Sequence, residues 1–246
     1  MSTTSSVHPD LSPISTRLSR LAALNHAELE ALQLAANASK RFPARRELVA
    51  EGAPLREPRA LLSGWACRQR ITIDGRRQIL SFLLPGDLIG VCRHSNPIAS
   101  TSILSLTELI LCPVPAADGA EGLAEAYARS GALEEHQFLA QITRLGRLDA
   151  RERMADWFLE TRERLMLAGL GGGDEFPLPL TQEMLADALG LTSVHVNRTL
   201  QGLRRDGLLA LRGGMISLPD PQRLEELVDF RPARVSADDC ATAASR

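Results

Sequence analysis

Residues 180–218 read LTQEMLADALGLTSVHVNRTLQGLRRDGLLALRGGMISL, a pattern that predicts two short helices followed by a β-hairpin. Thr181 stands where a helix N-cap is expected, and Gly190 follows that helix, at a position where a positive φ is easy for glycine. Thr192 is placed to cap a second helix that continues to about Arg205. Two helices joined by a short glycine-containing turn are typical of a helix-turn-helix.

The second helix separates apolar from polar side chains. Val196, Leu200 and Leu203 share one helical face and are predicted to be core. The opposite face has a different composition: it carries Ser193, Val194, Asn197, Arg198 and Gln201. From residue 192 to residue 205 there are three arginines and no acidic residue. Such a face is suited to contact base edges and phosphates.

A predicted hairpin follows the second helix directly. Residues 208–212 and 215–218 are predicted to form two short strands around Gly213-Gly214, a pair that suits a tight hairpin turn. A hairpin in this place is a wing, and the combination favours a DNA-binding module. The residues also allow a plainer interpretation, in which two helices and a hairpin pack together and bind no ligand.

Residues 121–167 contain no proline, are rich in Ala, Leu, Glu and Arg, and are predicted to be helical. Gly131 is expected to divide a short first piece from a longer one, and Asp149 to cap the next helix. Phe138, Ile142 and Leu145 stand at i, i+4 and i+7, which predicts a dimer interface of the coiled-coil kind. The same stripe is also able to pack on its own chain, and both arrangements can hold at once.

Residues 40–115 alternate short apolar stretches with turn signals, as in a β-sandwich or barrel. The expected strands lie near 45–49, 59–63, 66–73, 77–84 and 100–112. Asp74-Gly75 predicts a hairpin with a type I′ turn, which needs a positive φ at both central residues. Before this region, helical spacing runs from about Leu18 to Ala36, and Asn25 is placed to cap its second part.

Composition limits the function classes. The chain has 246 residues and a net charge of -2, which fits two domains and requires any nucleic-acid site to be a local patch. Residues 1–10 lack the pattern of a secretory signal, and no apolar run is long enough for a transmembrane helix. The four cysteines (Cys67, Cys92, Cys112 and Cys240) form no CxxC pair and are expected to be cytosolic thiols. Of these, Cys67 and Cys112 are predicted to be inert core thiols, and Cys240 an exposed one.

Several segments resemble the Crp/Fnr family of transcription regulators. LTQEMLADALGLTSVHVNRTL at 180–200 and LRRDGLL at 203–209 are similar to its winged-helix domain. GWACR at 64–68 and DGRRQILSFLLPGD at 74–87 resemble its β-roll sensor domain, and LDARER at 148–153 resembles the junction that follows its dimer helix. The resemblance covers about residues 18–230.

This resemblance implies an α+β fold with an N-terminal β-roll (jelly-roll) sensor domain, a long dimerisation helix and a C-terminal winged helix-turn-helix. The expected divisions are a flexible tail over 1–17, a cyclic-nucleotide-binding-like sensor domain over 18–120, a dimerisation helix over 121–148, a DNA-binding domain over 149–230 and a disordered tail over 231–246.

The resemblance also assigns roles on the second helix. Ser193, Val194, Asn197 and Arg198 match the positions that read the operator, and Arg198 matches an arginine used for guanine. Val194 departs from the family, many members of which carry a glutamate there that reads cytosine. Thr192 and His195 are expected at phosphates. The complete expected DNA-binding set is Thr192, Ser193, Val194, His195, Asn197, Arg198, Gln201, Arg204 and Arg205.

The sensor region departs from the family where ligands would bind. Cyclic-nucleotide-binding members have a glutamate after the glycine that Gly90 matches, and an arginine further on. Here Val91 follows Gly90, and residues 98–101 are Ile-Ala-Ser-Thr, so the phosphate of a cyclic nucleotide would lack its charge partner. Since no cysteine precedes Cys67, the N-terminal iron–sulfur cluster of oxygen-sensing members has no ligands.

Cys92 and His94 are the weak candidates for a metal or haem ligand pair. The simpler interpretation is a loop with a small apolar cysteine and a solvated histidine. No metal site is therefore assigned from the sequence.

The function expected from these observations is that of a homodimeric, cytoplasmic, sequence-specific regulator of transcription in bacteria. It would read an inverted-repeat operator in double-stranded DNA and act with RNA polymerase. The alternative is a metal, haem or small-molecule sensor with a weak or vestigial DNA-binding domain. The sequence contains no Gly-x-Ser-x-Gly, phosphate-loop or HExxH motif, which argues against an enzyme.

Overall fold

The computed structural model describes residues 12–55, 57–91, 96–171 and 174–235. A β-rich N-terminal half is followed by a long helix and a mixed C-terminal part, which confirms the expected fold class. In chain order the elements are α1 (Pro13–Leu21), α2 (His26–Asn37), β1 (Lys40–Phe42), β2 (Glu47–Val49), β3 (Arg59–Ser63), β4 (Ala66–Ile71), β5 (Arg77–Leu83), β6 (Leu88–Ile89), β7 (Ser102–Ser105), β8 (Leu109–Pro113), α3 (Glu121–Arg147), α4 (Ala150–Leu167), β9 (Glu175–Pro177), α5 (Gln182–Leu189), α6 (Ser193–Arg205), β10 (Ala210–Arg212), β11 (Met215–Ser217) and α7 (Pro221–Val228).

The first helix begins before the expected position. Ser12 caps α1 by accepting a hydrogen bond from the Ser15 amide, and Pro13 occupies the first turn, where its missing N–H costs nothing. Ile14 and Leu18 are buried. Residues 13–17 therefore belong to the folded domain, and the expectation of a flexible tail is wrong for them. The second helix, α2, is capped by Asn25 as predicted.

Two four-stranded antiparallel sheets build the β-roll. Their strand orders are β1-β8-β3-β6 and β2-β7-β4-β5. Apolar side chains of both sheets share one buried cluster, which includes Leu61 and Leu109 from the first sheet and Ala66 and Ile103 from the second. The β-roll thus has an apolar core between its two sheets, and the helices pack on the roll.

The strand predictions are correct for most of the roll and wrong at three places. Strands β1 and β6 are missing from the prediction, since one is mostly polar and the other has two residues. The expected strand at 100–112 is two strands, because β7 lies in one sheet and β8 in the other. The chain changes sheets in between, where the Leu106 amide donates to the Trp65 carbonyl at 2.8 Å.

The β4–β5 hairpin exists, but its turn is not type I′. The Gly75 amide donates to the Thr72 carbonyl at 2.9 Å, and the Thr72 amide to the Arg76 carbonyl at 2.8 Å. Gly75 has a φ of +82°, whereas Asp74 is not among the residues with positive φ. This is the pattern of a longer hairpin loop that ends in a glycine bulge.

The helix α3 is continuous over its 27 residues, so the predicted break at Gly131 is wrong. A lone glycine inside a helix costs about 1 kcal/mol relative to alanine, which the packing of a long helix easily offsets. The joint after α3 is as predicted: Asp149 caps α4 and forms a capping box with Glu152.

The two halves of the chain share a core. Trp65 and Phe82 of the roll pack edge-to-face with centroids 6.2 Å apart, and Phe82 meets Trp157 of α4 at 5.4 Å. Trp157 and Phe158 continue this row at 5.2 Å. The same buried cluster extends into α5, α6 and the C-terminal sheet, so the roll and the C-terminal part are packed against each other.

A buried carboxylate connects three parts of the fold. Asp87 receives hydrogen bonds from Arg17 of α1, from Arg164 of α4 at 2.6 Å and from the Leu84 amide at 2.7 Å. Burial raises the pKa of Asp87, but the two guanidiniums and the amide outweigh it, so the pKa lies below its ordinary value. Asp87 is therefore a charged junction between the roll, α1 and α4.

The C-terminal segment returns to the N-terminal domain. Within residues 231–235, Ala233 and Val235 are partly buried against the apolar cluster that contains α1 and part of α3. This part of the expected disordered tail is therefore packed. Residues 236–246, with Cys240, lie outside the described residues, as do Cys92 and His94. No described helix has both the length and the apolar character that a membrane crossing requires.

Candidate nucleic-acid interface

The helix-turn-helix forms with the predicted caps. The Thr181 hydroxyl accepts a hydrogen bond from the Met184 amide at 3.2 Å, and Thr192 does the same for His195 at 3.2 Å. Between the helices, Gly190 adopts the left-handed conformation with φ 64° and ψ 39°. These local signals place α6 where the sequence predicted it.

The turn between α5 and α6 is held by the joint of α3 and α4. A Cβ on Gly190 would lie 3.2 Å from Leu145 Cδ2 and 3.3 Å from a guanidinium nitrogen of Arg153. The same nitrogen of Arg153 donates to the Leu189 carbonyl at 3.0 Å. Both the left-handed backbone of Gly190 and the short distances to its neighbours favour glycine at this position. Through these contacts the turn before α6 is attached to the joint of α3 and α4.

The polar face of α6 is exposed where the sequence predicted it. Val196, Leu200 and Leu203 are buried, which confirms them as core. The expected DNA-binding set points away from this core, with His195 half-buried and the others exposed: Thr192, Ser193, Val194, Asn197, Arg198, Gln201, Arg204 and Arg205.

The charge of this face is not neutralised by the protein. Arg198, Arg204 and Arg205 form no ion pair with any described residue. At the end of the helix Asp206 is bound by Arg151 of α4, so that its charge is already compensated. The first turn of α6 carries no acidic residue, and the positive end of the helix dipole adds to the potential there.

The wing has the predicted turn. β10 and β11 pair antiparallel with Arg212 opposite Met215, and the two residues between them, Gly213 and Gly214, have φ of 57° and 79°. Positive φ at both positions is what a type I′ turn requires. Sequence reasoning missed β9, which adds a third strand to the wing sheet, because it is short and separated from its partner by two helices.

The stripe predicted to form a dimer is only partly free on a single chain. Ile142 is 68% exposed. Phe138 is half-buried at the edge of the roll, and Leu145 is half-buried beside Gly190. Leu139, which the prediction missed, is 57% exposed on the next position of the helix. An exposed apolar surface therefore runs along α3 at Leu139 and Ile142.

A cavity of about 350 Å³ lies between the roll and α3. Five residues between β6 and β7 line this cavity: Val91, Ile98, Ala99, Ser100 and Thr101. Three arginines that the sequence analysis missed also line it. These are Arg17, Arg68 and Arg164.

Carboxylates occupy the cationic ends of the cavity arginines. Arg68 pairs with Glu134 of α3, and both Arg17 and Arg164 pair with Asp87. Each of the three guanidiniums keeps an Nε without a hydrogen-bond partner among the described residues. Their pairing could not be predicted from sequence because the partners lie 66 to 77 residues apart.

The two described cysteines are core residues, as predicted. Cys67 and Cys112 are both buried. Burial raises the pKa of the Cys67 thiol to about 11 and also raises the pKa of Cys112. Both thiols are therefore protonated at neutral pH, which makes them poor nucleophiles and poor ligands.

Both halves of the chain match known domain families. Residues 39–125 match the cyclic nucleotide-binding domain, and residues 152–227 match the Crp-like helix-turn-helix domain. The nucleotide-binding-type domain therefore precedes the helix-turn-helix domain in the chain.

Curated relatives are transcription regulators. The nitrogen fixation regulation protein FixK of Bradyrhizobium diazoefficiens is 37% identical over 173 residues, which are 68% of this chain and 72% of the relative. The transcriptional activator protein FnrL of Cereibacter sphaeroides is 32% identical over 163 residues, 63% of this chain and 65% of the relative. Among solved structures, FixK2 of Bradyrhizobium japonicum superposes with a TM-score of 0.68 at 27% identity, covering 80% of this chain and 98% of that one.

Proposed function

The chain belongs to the Crp/Fnr family of transcription regulators, and from this premise we propose that it binds an inverted-repeat operator as a homodimer through α6. Its C-terminal part is a helix-turn-helix DNA-binding domain, and its N-terminal part is a sensor domain of the Crp/Fnr kind. The proposal adds which residues contact the DNA and how two copies present them.

The observation that carries the proposal is the exposed, unpaired arginine set on α6. A guanidinium that the protein leaves in water, with no carboxylate partner, is available to a phosphate or a guanine. Arg198 follows Val194 by four residues, one turn further along α6, and lies in the N-terminal half of the helix. The N-terminal end of a recognition helix is the end that meets base edges. We therefore assign base reading to Ser193, Val194, Asn197 and Arg198.

The remaining members of the set are assigned to positioning. Arg204 and Arg205 lie in the last turn of α6, away from the end that meets base edges. Thr192 is the N-cap and His195 is half-buried, so we assign all four to the phosphate backbone. Gln201 lies between the two groups. This surface is complete, which argues against the alternative of a sensor with a vestigial DNA-binding domain.

The homodimer follows from the exposed apolar part of α3. Pairing of two such helices would cover Leu139 and Ile142, and would set two copies of α6 on one side of the assembly. Dimeric helix-turn-helix proteins bind half-sites whose centres are about 34 Å apart, in successive major grooves. A two-fold protein axis predicts a two-fold operator.

We further propose that the protein acts in the cytoplasm with RNA polymerase as its partner, and not as an enzyme. The relative FnrL is named a transcriptional activator, and it is 32% identical to this chain over 163 residues. The sensor, taken as residues 18–120, would signal through a dimerisation helix at 121–148 to a DNA-binding domain at 149–230. Its ligand is not cyclic nucleotide, since Asp87 and Glu134 place two carboxylates at the cavity where an anion would need free cations.

Selection of DNA from a random pool tests the proposal. The full chain is expected to retain duplexes with an inverted repeat whose half-site centres are one helical turn apart. Replacing Arg204 and Arg205 together by glutamate should abolish retention, because both changes place acids beside phosphates. The control is Arg41→Glu, which reverses the charge of a side chain that is 74% exposed on β1. It should leave retention unchanged.

Two results would contradict the proposal. One is a chain that retains no sequence above the starting pool. The other is a retained sequence without two-fold symmetry, which would mean that the protein does not bind DNA as a symmetric dimer.

A further inference from the structure

One apolar side chain is exposed in the middle of the polar recognition face. Val194 is 79% exposed in the first turn of α6, and its neighbours on that face are polar or charged. A valine here gains almost nothing from burial, and β-branched residues are poor helix formers. Its presence is therefore not explained by the stability of the free protein.

Val194 lies on the same stripe as the arginine assigned to base reading. Residues four apart on a helix have Cβ atoms about 5–6 Å apart, so Val194 and Arg198 point in similar directions. Gln201 and Arg205 continue the stripe at the following turns. If Arg198 enters the major groove, Val194 enters it too, displaced by one or two base-pair steps, since DNA has a rise of about 3.4 Å per step.

The major groove offers one apolar feature that a valine can contact. Adenine, guanine and cytosine present donors and acceptors there, while thymine adds its C5-methyl group. A valine pressed against N7 or O6 would displace water from an acceptor without replacing the hydrogen bond. The nearby side chains of Asn197 and Gln201 end in polar amides, which hydrogen-bond to each other at 3.3 Å, and neither presents a methyl group.

We infer that Val194 reads the 5-methyl group of a thymine beside the base bound by Arg198. The inference rests on the proposed function and makes it more specific. Each operator half-site then contains one thymine whose methyl group, and not its hydrogen-bonding edge, determines affinity. At this position the protein discriminates thymine from cytosine by shape.

Deoxyuridine substitution tests the inference, because uracil differs from thymine only in lacking the methyl group. Each thymine of the selected duplex is replaced in turn by deoxyuridine in both half-sites, and the full chain is titrated against every duplex. One position is expected to lower affinity roughly fourfold per half-site, as for one methyl group removed from an apolar contact. The other thymines serve as internal controls.

Two variants connect the methyl group to Val194. Val194→Ser removes both methyl groups of the side chain and should bind the thymine and uracil duplexes equally. Val194→Thr retains one methyl group and should keep part of the preference. Both change an exposed position, so the Tm should stay close to that of wild type. Arg198→Ala is the matched control and should keep the full preference for thymine.

The outcomes separate the inference from the function on which it rests. A selected operator in which every deoxyuridine is neutral overturns the inference and leaves the function standing. The same holds if Val194→Ser keeps the wild-type preference. Failure to select any operator overturns both.

Discussion

Arginine has opposite roles at the two ends of this molecule. On α6, Arg198, Arg204 and Arg205 are exposed and have no acidic partner among the described residues. Between the roll and α4, Arg17 and Arg164 are buried and share Asp87. Arginine is thus unpaired on α6 and ion-paired between the roll and α4.

A third buried arginine strengthens the contrast. Arg144 of α3 is 2% exposed and binds Asp156 at 2.7 Å and Glu160 at 2.6 Å, both on α4. A buried charge is tolerated only with partners, so these arginines fix the helices around them. What distinguishes the proposed nucleic-acid surface is therefore the absence of acidic partners for its described arginines, and not the number of arginines. This is why a net charge of -2 does not conflict with DNA binding.

The largest expected effect comes from breaking the buried junction. Asp87→Asn leaves the buried guanidinium of Arg17 without a carboxylate and leaves Arg164 with only Glu160, at 3.3 Å. It should lower the free energy of unfolding by about 3–5 kcal/mol, measured in urea at pH 7. Because the pKa of Asp87 is below its ordinary value in the folded protein, the difference should persist at neutral pH and shrink on acidification through that lowered pKa.

The control for Asp87 is an exposed ion pair. Asp229 binds Arg231 with both side chains over 80% exposed, and asparagine tolerates its positive φ. Asp229→Asn should change the free energy of unfolding by less than about 1 kcal/mol. Equal effects of the two substitutions would remove the distinction between buried and exposed charges.

The second expected effect concerns assembly. Ile142→Glu introduces a charge into the exposed apolar part of α3 and should convert dimers to monomers in sedimentation, with loss of operator binding. Leu34→Glu, at a leucine that is 69% exposed on α2, is the control and should remain dimeric. A dimeric Ile142→Glu protein would mean that another surface pairs.

A smaller effect is expected from one acid near α7. Burial, followed by the charge of Glu225, raises the pKa of Glu163 to about 7 from its ordinary value near 4.5. The folded state then binds more protons than the unfolded state between these values, so wild-type stability should fall as pH rises through them. Glu163→Gln should therefore be more stable than wild type by about 1–3 kcal/mol at pH 8 and similar to it at pH 4.

Urea unfolding at several pH values checks this sign. Glu226→Gln, at an exposed position of the neighbouring helix α7, should show no such crossover. A Glu163→Gln protein that is less stable than wild type at pH 8 would mean that the charged form of Glu163 is favoured.

The smallest effect is an expected absence of change. Cyclic AMP or cyclic GMP at millimolar concentration should leave the Tm where it is, since a ligand that binds only the native state must raise it. The reason is that the cavity arginines Arg17 and Arg68 are occupied by Asp87 and Glu134. A saturable rise in Tm with either nucleotide would show that these pairs open for an anion.

The same comparison explains how far the sequence could predict the structure. The DNA-binding end follows local rules: Thr181, Gly190 and Thr192 are caps or turns recognisable within a few residues, and Gly213-Gly214 fixes the wing. The sensor end depends on distant partners. Strand β1 pairs with β8 some 70 positions away, and Asp87 meets arginines from α1 and α4. No local pattern records those contacts, and the charge pairs of the cavity were missed for this reason.

The division of one apolar run into β7 and β8 has a similar cause. Both pieces have good strand composition, so the sequence from 100 to 112 contains no sign of where the chain leaves one sheet for the other. The helix α3 is the opposite case: Gly131 is a local signal for a break, and packing along the helix overrides it.

The central claim is that the unpaired arginines of α6 bind DNA, with Arg198 contacting a base and Arg204 contacting the phosphate backbone. It is tested most directly by titrating wild type, Arg198→Ala and Arg204→Ala against the selected operator and a scrambled duplex at several salt concentrations. Arg198→Ala should lose about 1–3 kcal/mol on the operator and much less on the scrambled duplex. Arg204→Ala should weaken both alike and reduce the salt slope by about one unit. Equal losses on both duplexes for Arg198→Ala would contradict its assignment to base reading, and wild-type binding by both variants would contradict the claim itself.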